Sequence, residues 1–321
     1  MIASALFAIA ITVTAAAGRL GTLRVHWRAG RLVAFALVQL ALPGAAASAT
    51  AADPTDTGRL WRISRTGIPD SFVLGTIHVA DPRVAVLARP VASALARSRT
   101  LAVELVPEAR DAAASDLEEL EGGKRLEPLV GAAAYARIRD ELAAQGHAPA
   151  AIERMKPWAA MLKIARSARG AGAQSLDGQL LAAARMRRLQ VLPLELLEEQ
   201  IAAFDTIPLA TQVAMLRHAL DNRDMLAGNV EPTIAAWLRG DLAGLARISD
   251  RTYERFPDLR VHYSRLVKHM ILDRTALMHH RLFLPLRSGR VFVAVGALHL
   301  YGEQGLLALL REDGYRLTRV W

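Results

Sequence analysis

S-F-V-L-G-T-I-H-V-A-D-P at residues 71–82 and V-F-V-A-V-G-A-L-H-L-Y-G at residues 291–302 are near-copies of one another. Each is a short apolar run, rich in β-branched residues, that ends in Gly-x-x-His and then meets a helix start. Runs of this length bounded by turn residues read as buried strands of a parallel sheet. In open α/β sheets, ligands sit just outside the carboxyl ends of the strands. That logic places His78 and His299 at the rim where such folds do their chemistry.

The rest of the chain extends the same pattern. L-W-R-I at 60–63 predicts a strand that turns at Gly67 and Pro69 into 71–77, a hairpin at the sheet edge. Asp81-Pro82 predicts a helix start, an aspartate cap followed by proline at the first helical position. Val84, Leu87, Val91 and Leu95 carry that helix in period to residue 96. T-L-A-V-E-L at 100–105 is the next strand, with Glu104 at its carboxyl end, and 189–195 is another, ending at Glu195. Residues 290–298 form the last inner strand, 302–311 its helix and 315–321 a terminal strand. Helical patterns fill 107–121, 127–145, 159–168, 179–187 and 196–286, the last broken at Pro208, Gly228, Pro232, Gly240 and Pro257. The expected fold is α/β, a central mixed, mostly parallel sheet flanked by helices. It is one domain over 53–321, with a large helical insertion or cap at about 107–188 and 196–286, between the two Gly-x-x-His halves.

Residues 1–52 are a different kind of sequence. An apolar stretch over 1–18 is followed by Arg19, Arg24, Arg28 and Arg31 with no acid among them. A second apolar run, 32–42, then leads to Pro43 and small residues at 45–49. A basic region, a short apolar core and A-x-A-type small residues make a secretory signal peptide, cut near 49–52. The extra first run either is a retained membrane segment, since it approaches the roughly 17–25 residues needed to span, or lies ahead of a true start around Val25. Either way the expected location is outside the cytoplasm, in the periplasm or cell envelope.

The formal net charge is +9, and the leader's four arginines leave +5 on the remainder. That base is spread thinly and lacks interleaved aromatics, so no nucleic-acid partner is expected. The chain has no cysteine, which removes thiolate metal sites, iron–sulfur clusters, disulfides and thiol nucleophiles together. There is also no Gly-x-Ser-x-Gly elbow and no phosphate-binding Walker loop.

What remains is the set of strand ends: His78, Glu104, Glu195 and His299. Two imidazoles with one or two carboxylates make a common ligand set for zinc, manganese or cobalt. A divalent metal there acidifies water and polarises a carbonyl oxygen, while a spare carboxylate takes the proton. Gly75 and Gly296 let the backbone turn and a substrate approach without a Cβ in the way. His262, His269, His279 and His280 lack strand ends and glycine turns, and are read as packing or surface residues.

The combination L-W-R-I (60–63), V-L-G-T-I-H-V (73–79), A-V-E-L (102–105), M-K-P-W (155–158), L-D-G-Q-L (176–180), L-E-L-L-E-E-Q (194–200) and V-A-V-G-A-L-H-L-Y-G (293–302) resembles the TraB/GumN family. That family includes the Tiki metalloproteases and is similar in fold to the erythromycin-esterase and ChaN-like group. The resemblance implies a metal-dependent hydrolase with His78, His299, Glu104 and Glu195 as the metal and catalytic set. Family members carry Arg-Asn before the last inner strand, and this chain has Arg274-Thr275 there. Arg274 is expected to clamp a substrate carboxylate or an oxyanion. The leading expectation is an exported, divalent-metal-dependent hydrolase acting on a peptide or another small molecule. The competing one is a non-catalytic envelope binding or assembly protein, holding a metal, haem or polysaccharide fragment at the same rim.

Overall fold

The computed structural model describes residues 56–79, 81–106, 117–167, 175–254 and 260–321. The leader, most of the expected 107–121 helix and the break at Pro257 lie outside these residues. Among the described residues, no helix is long and apolar enough to cross a membrane.

Six strands form one sheet: β1 (Leu60–Arg65), β2 (Ile68–Thr76), β3 (Thr100–Val103), β4 (Gln190–Pro193), β5 (Val291–Gly296) and β6 (Arg316–Arg319). Their order is β4-β3-β5-β2-β1-β6. The first four in that order run parallel, and β1 is antiparallel to both β2 and β6. The mixed, mostly parallel sheet with flanking helices is the one the apolar runs predict. The hairpin of β1 and β2 forms, but β6 pairs along its outer side, so the edge strand is the carboxyl-terminal one.

Burial follows from strand position. β5 lies between β3 and β2, and every one of its residues is buried. β6, at the edge, is mostly exposed. Fully buried Leu60, Leu74, Leu101 and Phe292 belong to an apolar core shared by the sheet and its covering helices. A second apolar core is built from helices alone, around Leu126, Ile138, Trp158, Phe204, Leu216 and Met270. The M-K-P-W motif belongs to it. Trp158 stacks on Phe204 with ring centroids 4.8 Å apart. Both Lys156 Nζ and Trp158 Nε1 donate to Asp205, which joins two helices of that core.

Two expected helices are divided. The one at 84–96 appears as Pro82–Ala85 and Arg89–Ala96, because Pro90 begins a fresh first turn and cannot continue the earlier ladder. The one at 127–145 appears as Leu126–Val130 and Ala132–Ala144, divided at Gly131, whose φ of 80° suits glycine. Pro232 breaks nothing, since it lies in the first turn of helix Val230–Leu238.

One irregularity bears on the rim. Helix Arg260–Val267 runs through a π-helical turn, Lys268–Leu272, into helix Asp273–Ser288. In that turn the Asp273 N–H reaches back to Lys268 O, one residue further than in an α-helix. Arg274 Nη1 donates to Met270 O, and Thr275 Oγ1 donates to Ile271 O. The turn thus offers carbonyls to the two side chains that face the strand ends.

Candidate functional site

Three adjacent parallel strands, β2, β5 and β3, deliver His78, His299 and Glu104. Register pairs Thr76 with Gly296 and Val103 with Ala294, so the three chain ends leave the sheet at nearly one level. His78 comes two residues after Thr76. His299 closes the single 3-10 turn Ala297–His299 that follows Gly296. Glu104 immediately follows Val103, and its Oε1 lies 4.0 Å from His299 Nε2. Glu104 also feels the charge of His78 as well as that of His299.

The two glycines do something other than leave room for a substrate. A Cβ on Gly75 would lie 2.9 Å from Leu300 Cδ1 and 3.0 Å from Ala297 Cα, atoms of the segment that carries His299. The Gly75 carbonyl is taken by Trp237 Nε1 at 2.8 Å. A Cβ on Gly296 would meet Glu104 Oε1 at 3.1 Å, and the Gly296 N–H donates to that same oxygen at 2.5 Å. These glycines let protein pack on protein. Their expected substrate-binding role gives way to bringing His299 and Glu104 against β2 and β5.

Arg274 and Glu195 also change roles. Arg274 Nε donates to Glu195 Oε1 at 2.8 Å, and its Nη2 donates to Glu195 Oε2 at 2.5 Å and to Glu104 Oε2 at 2.9 Å. With Nη1 on Met270 O, the guanidinium is committed to the protein, and its side chain is only 3% exposed. It holds two carboxylates and is not placed to clamp a substrate. Both Glu195 oxygens accept from Arg274, while Glu104 accepts from Arg274 on Oε2 and from the Gly296 N–H on Oε1. A second arginine two helical turns on, Arg281, donates to Leu194 O and to both oxygens of Glu199. Helix Asp273–Ser288 thereby pins the segment after β4 from one face.

Each imidazole has a partner on its Nδ1. His78 Nδ1 lies 2.8 Å from Asp177 Oδ2, and Asp177 Oδ1 accepts from Thr76 Oγ1 at 2.9 Å. His299 Nδ1 lies 2.8 Å from Thr275 Oγ1. A hydroxyl has one proton, and that of Thr275 goes to Ile271 O, so His299 Nδ1 is the donor. The remaining ring nitrogen, Nε2, is then the acceptor that faces Glu104.

Electrostatics at the rim are strongly shifted. Burial opposes ionisation of Glu104, yet His299, Arg274, His78 and the Gly296 N–H together hold its carboxyl down to about 2. Burial pushes the His299 imidazole down to about 4, although Glu104 pulls the other way. Burial pushes the Glu195 carboxyl up against the opposing pull of Arg274. Arg274 is itself held more firmly protonated than usual, because Glu195 and Glu104 outweigh the burial that disfavours its charge.

Sequence reasoning did not find Asp177 or Thr76. Asp177 lies in the quoted L-D-G-Q-L segment, where an acid in a first turn reads as helix capping. Thr275 was visible only as a departure from Arg-Asn. Three of the other histidines have partners of their own: His262 meets Thr211, His269 meets Asp273, and His279 meets Asp313.

Residues 59–319 match the family model described as the TraB/PrgY/gumN family. This chain belongs to that family. The match spans the whole sheet, from the residue before β1 to the last residue of β6, and so includes every strand that delivers a rim residue. The TraB/PrgY/gumN chain is also similar to the "Uncharacterized protein YbaP" of Shigella flexneri. The two are 26% identical over 253 residues, covering 78% of this chain and 90% of that protein. No solved structure matches.

Whether the rim suits a divalent cation is a question of donor chemistry. Glu104, held ionised, and Glu195, whose carboxyl burial pushes up, both face Arg274, and His299 is neutral at pH 7. Buried charge in this state is normally paired or bound to a metal. Both imidazoles turn Nδ1 toward a carboxylate or hydroxyl, the second partner that metal-binding histidines commonly have. On donor chemistry His78, His299 and Glu104 fit a cation, while Glu195 is held on both oxygens by Arg274 and pushed up by burial. Among the described residues, no three His, Asp or Glu side chains are grouped closely enough to hold a metal as they stand.

Proposed function

We propose that this TraB/PrgY/gumN chain is an exported, divalent-metal-dependent hydrolase of the periplasm or cell envelope that cleaves peptides. The observation that carries the reading is the delivery of His78, His299 and Glu104 by the ends of three neighbouring parallel strands, with Glu104 4.0 Å from His299. In this reading His78 and His299 present Nε2 to zinc, manganese or cobalt, and Glu104 is the third ligand or the base. A divalent ion, when bound, supplies the pull that makes water acidic near neutral pH and polarises a carbonyl oxygen. In this reading Glu104 takes the proton through Oε1, which the Gly296 N–H orients while Arg274 fixes the other oxygen. Arg274 and Glu195 position Glu104 from behind. The sheet rim keeps these groups on rigid strand ends, the geometry that catalysis by positioned groups needs.

The test is turnover of a peptide library by the full-length protein supplied with zinc, manganese or cobalt, with products read by mass spectrometry. Cleavage should stop with a chelator and fall by at least a hundredfold in His78→Ala and His299→Ala. No cleavage with any of the three metals would sink the reading.

A second reading has its own observation. Arg274 occupies one Glu104 oxygen and both Glu195 oxygens, and among the described residues no three-donor group stands assembled. That favours a non-catalytic envelope binding or assembly protein using the same rim. It predicts metal or ligand binding without turnover.

A further inference from the structure

We infer that Asp177, itself held by Thr76, is the positioning residue for His78, fixing the ring proton on Nδ1 so that Nε2 is the nitrogen presented at the rim. The inference rests on reading the rim as a site that uses its imidazoles through Nε2.

Asp177 stands in the first turn of helix Leu176–Met186, where an acid ordinarily serves the helix terminus. Here that terminus is already capped. Ser175 Oγ accepts from the Gly178 N–H at 3.2 Å. The Asp177 carboxylate turns instead to the end of β2, with Oδ1 on Thr76 Oγ1 and Oδ2 on His78 Nδ1. Residues 76 and 78 are about a hundred positions earlier in the chain, so only the tertiary fold brings the carboxylate there.

Proton counting then fixes the ring. A carboxylate is an acceptor only, so Thr76 and His78 must both donate to it. His78 therefore carries a proton on Nδ1, and in the neutral ring this leaves the lone pair on Nε2. Thr76 matters because it occupies the other oxygen and sets the plane in which the carboxylate meets the ring. The same tautomer is reached at His299 by different means, through Thr275 and Ile271 O. Two unrelated holders giving one outcome is what a site needing two Nε2 acceptors requires. A carboxylate behind an imidazole also makes it a better donor to a cation, and losing such a partner typically costs about 10–100-fold in metal affinity.

The experiment reads the tautomer directly. Full-length protein with ¹⁵N-labelled histidine, without added metal or substrate, is examined at pH 8 by long-range ¹H–¹⁵N correlation, with His78 assigned through His78→Gln. The wild type should show His78 as the Nδ1–H form, and Asp177→Ala should move it mainly to Nε2–H. The His299 ring, in the same spectrum, reports whether the fold is intact. Should Asp177→Ala disturb it, Asp177→Asn serves. An amide offers the ring a donor as well as an acceptor, so an Nε2–H population should become visible. A wild-type His78 that is mainly Nε2–H, or a ring that stays Nδ1–H in both variants, overturns the inference. Absence of turnover bears on the hydrolase reading alone, because the spectrum needs neither metal nor substrate.

Discussion

His299 leaves β5 through a tight 3-10 turn, its side chain 4% exposed, with a threonine hydroxyl on Nδ1. His78 leaves β2 in irregular backbone, its side chain 9% exposed beside an aspartate that is 18% exposed. In sequence the two units are almost the same motif. In the fold one is a buried post, braced by the π-turn and by the Glu104–Arg274–Glu195 group. The other is the side nearer to solvent, braced by helix Leu176–Met186 through Asp177. A shared strand-end motif therefore fixes where each imidazole stands but not its surroundings. Those come from the elements packed above it, and they determine that burial sets the proton affinity of His299.

The largest expected effect breaks the buried side. Arg274→Met removes the guanidinium that bonds to both Glu104 and Glu195 and leaves two desolvated carboxylates together. Breaking a buried pair by removing one partner costs about 3–5 kcal/mol. Urea unfolding should show a loss of that size. A loss below about 1 kcal/mol would mean that the carboxylates are better solvated than their burial implies, and the contrast between the two sides would shrink.

Acid should act on the same side, and the sign can be worked out. His299 binds its proton near pH 4 when folded, against 6.5 ordinarily. Between these values the unfolded chain holds more protons, so stability falls as pH drops from about 6.5 to 4. Glu104 is held at about 2 against 4.5, so its contribution is full above 4.5 and is lost as pH falls toward 2. Each shift corresponds to about 3 kcal/mol at roughly 1.4 kcal/mol per unit, and because the two groups interact the sum is smaller. Urea midpoints measured at pH 8, 5.5, 4 and 3 should decline throughout. His299→Gln should flatten the upper window, and Glu104→Gln the lower. If His299→Gln keeps the full decline between pH 6.5 and 4, the buried imidazole is not its source.

These residues also show what the sequence could and could not display. Strands were legible because a parallel sheet buries both faces, and β5 and the inner part of β2 from Phe72 are short apolar runs that such burial explains. His78, Glu104 and His299 were legible for the same reason, as polar residues at the point where those runs stop. The roles of Glu195 and Arg274 were not. Their pairing joins positions 79 apart, and a carboxylate at a strand end looks the same whether it faces a metal or a guanidinium. Asp177 was hidden by local grammar, since its position in a first turn already had an explanation. The π-turn left no mark at all, because K-H-M-I-L is ordinary helical sequence.

The smallest effect tests the brace on His299 alone. Thr275→Val keeps the shape of a side chain that is almost wholly buried, and removes only the hydroxyl between Ile271 O and His299 Nδ1. Two bonds are lost and no charge is exposed, so the cost should be about 1–2 kcal/mol. Thr275→Ser, which keeps the hydroxyl, should cost less. The histidine ¹⁵N spectrum should show a second tautomer of His299 in the valine variant, while His78, held by Asp177, stays as it was. A change at both rings would show that the two units are coupled through the rim. A change at neither would show that Ile271 O alone fixes His299, and the hydroxyl would no longer distinguish the buried unit from the open one.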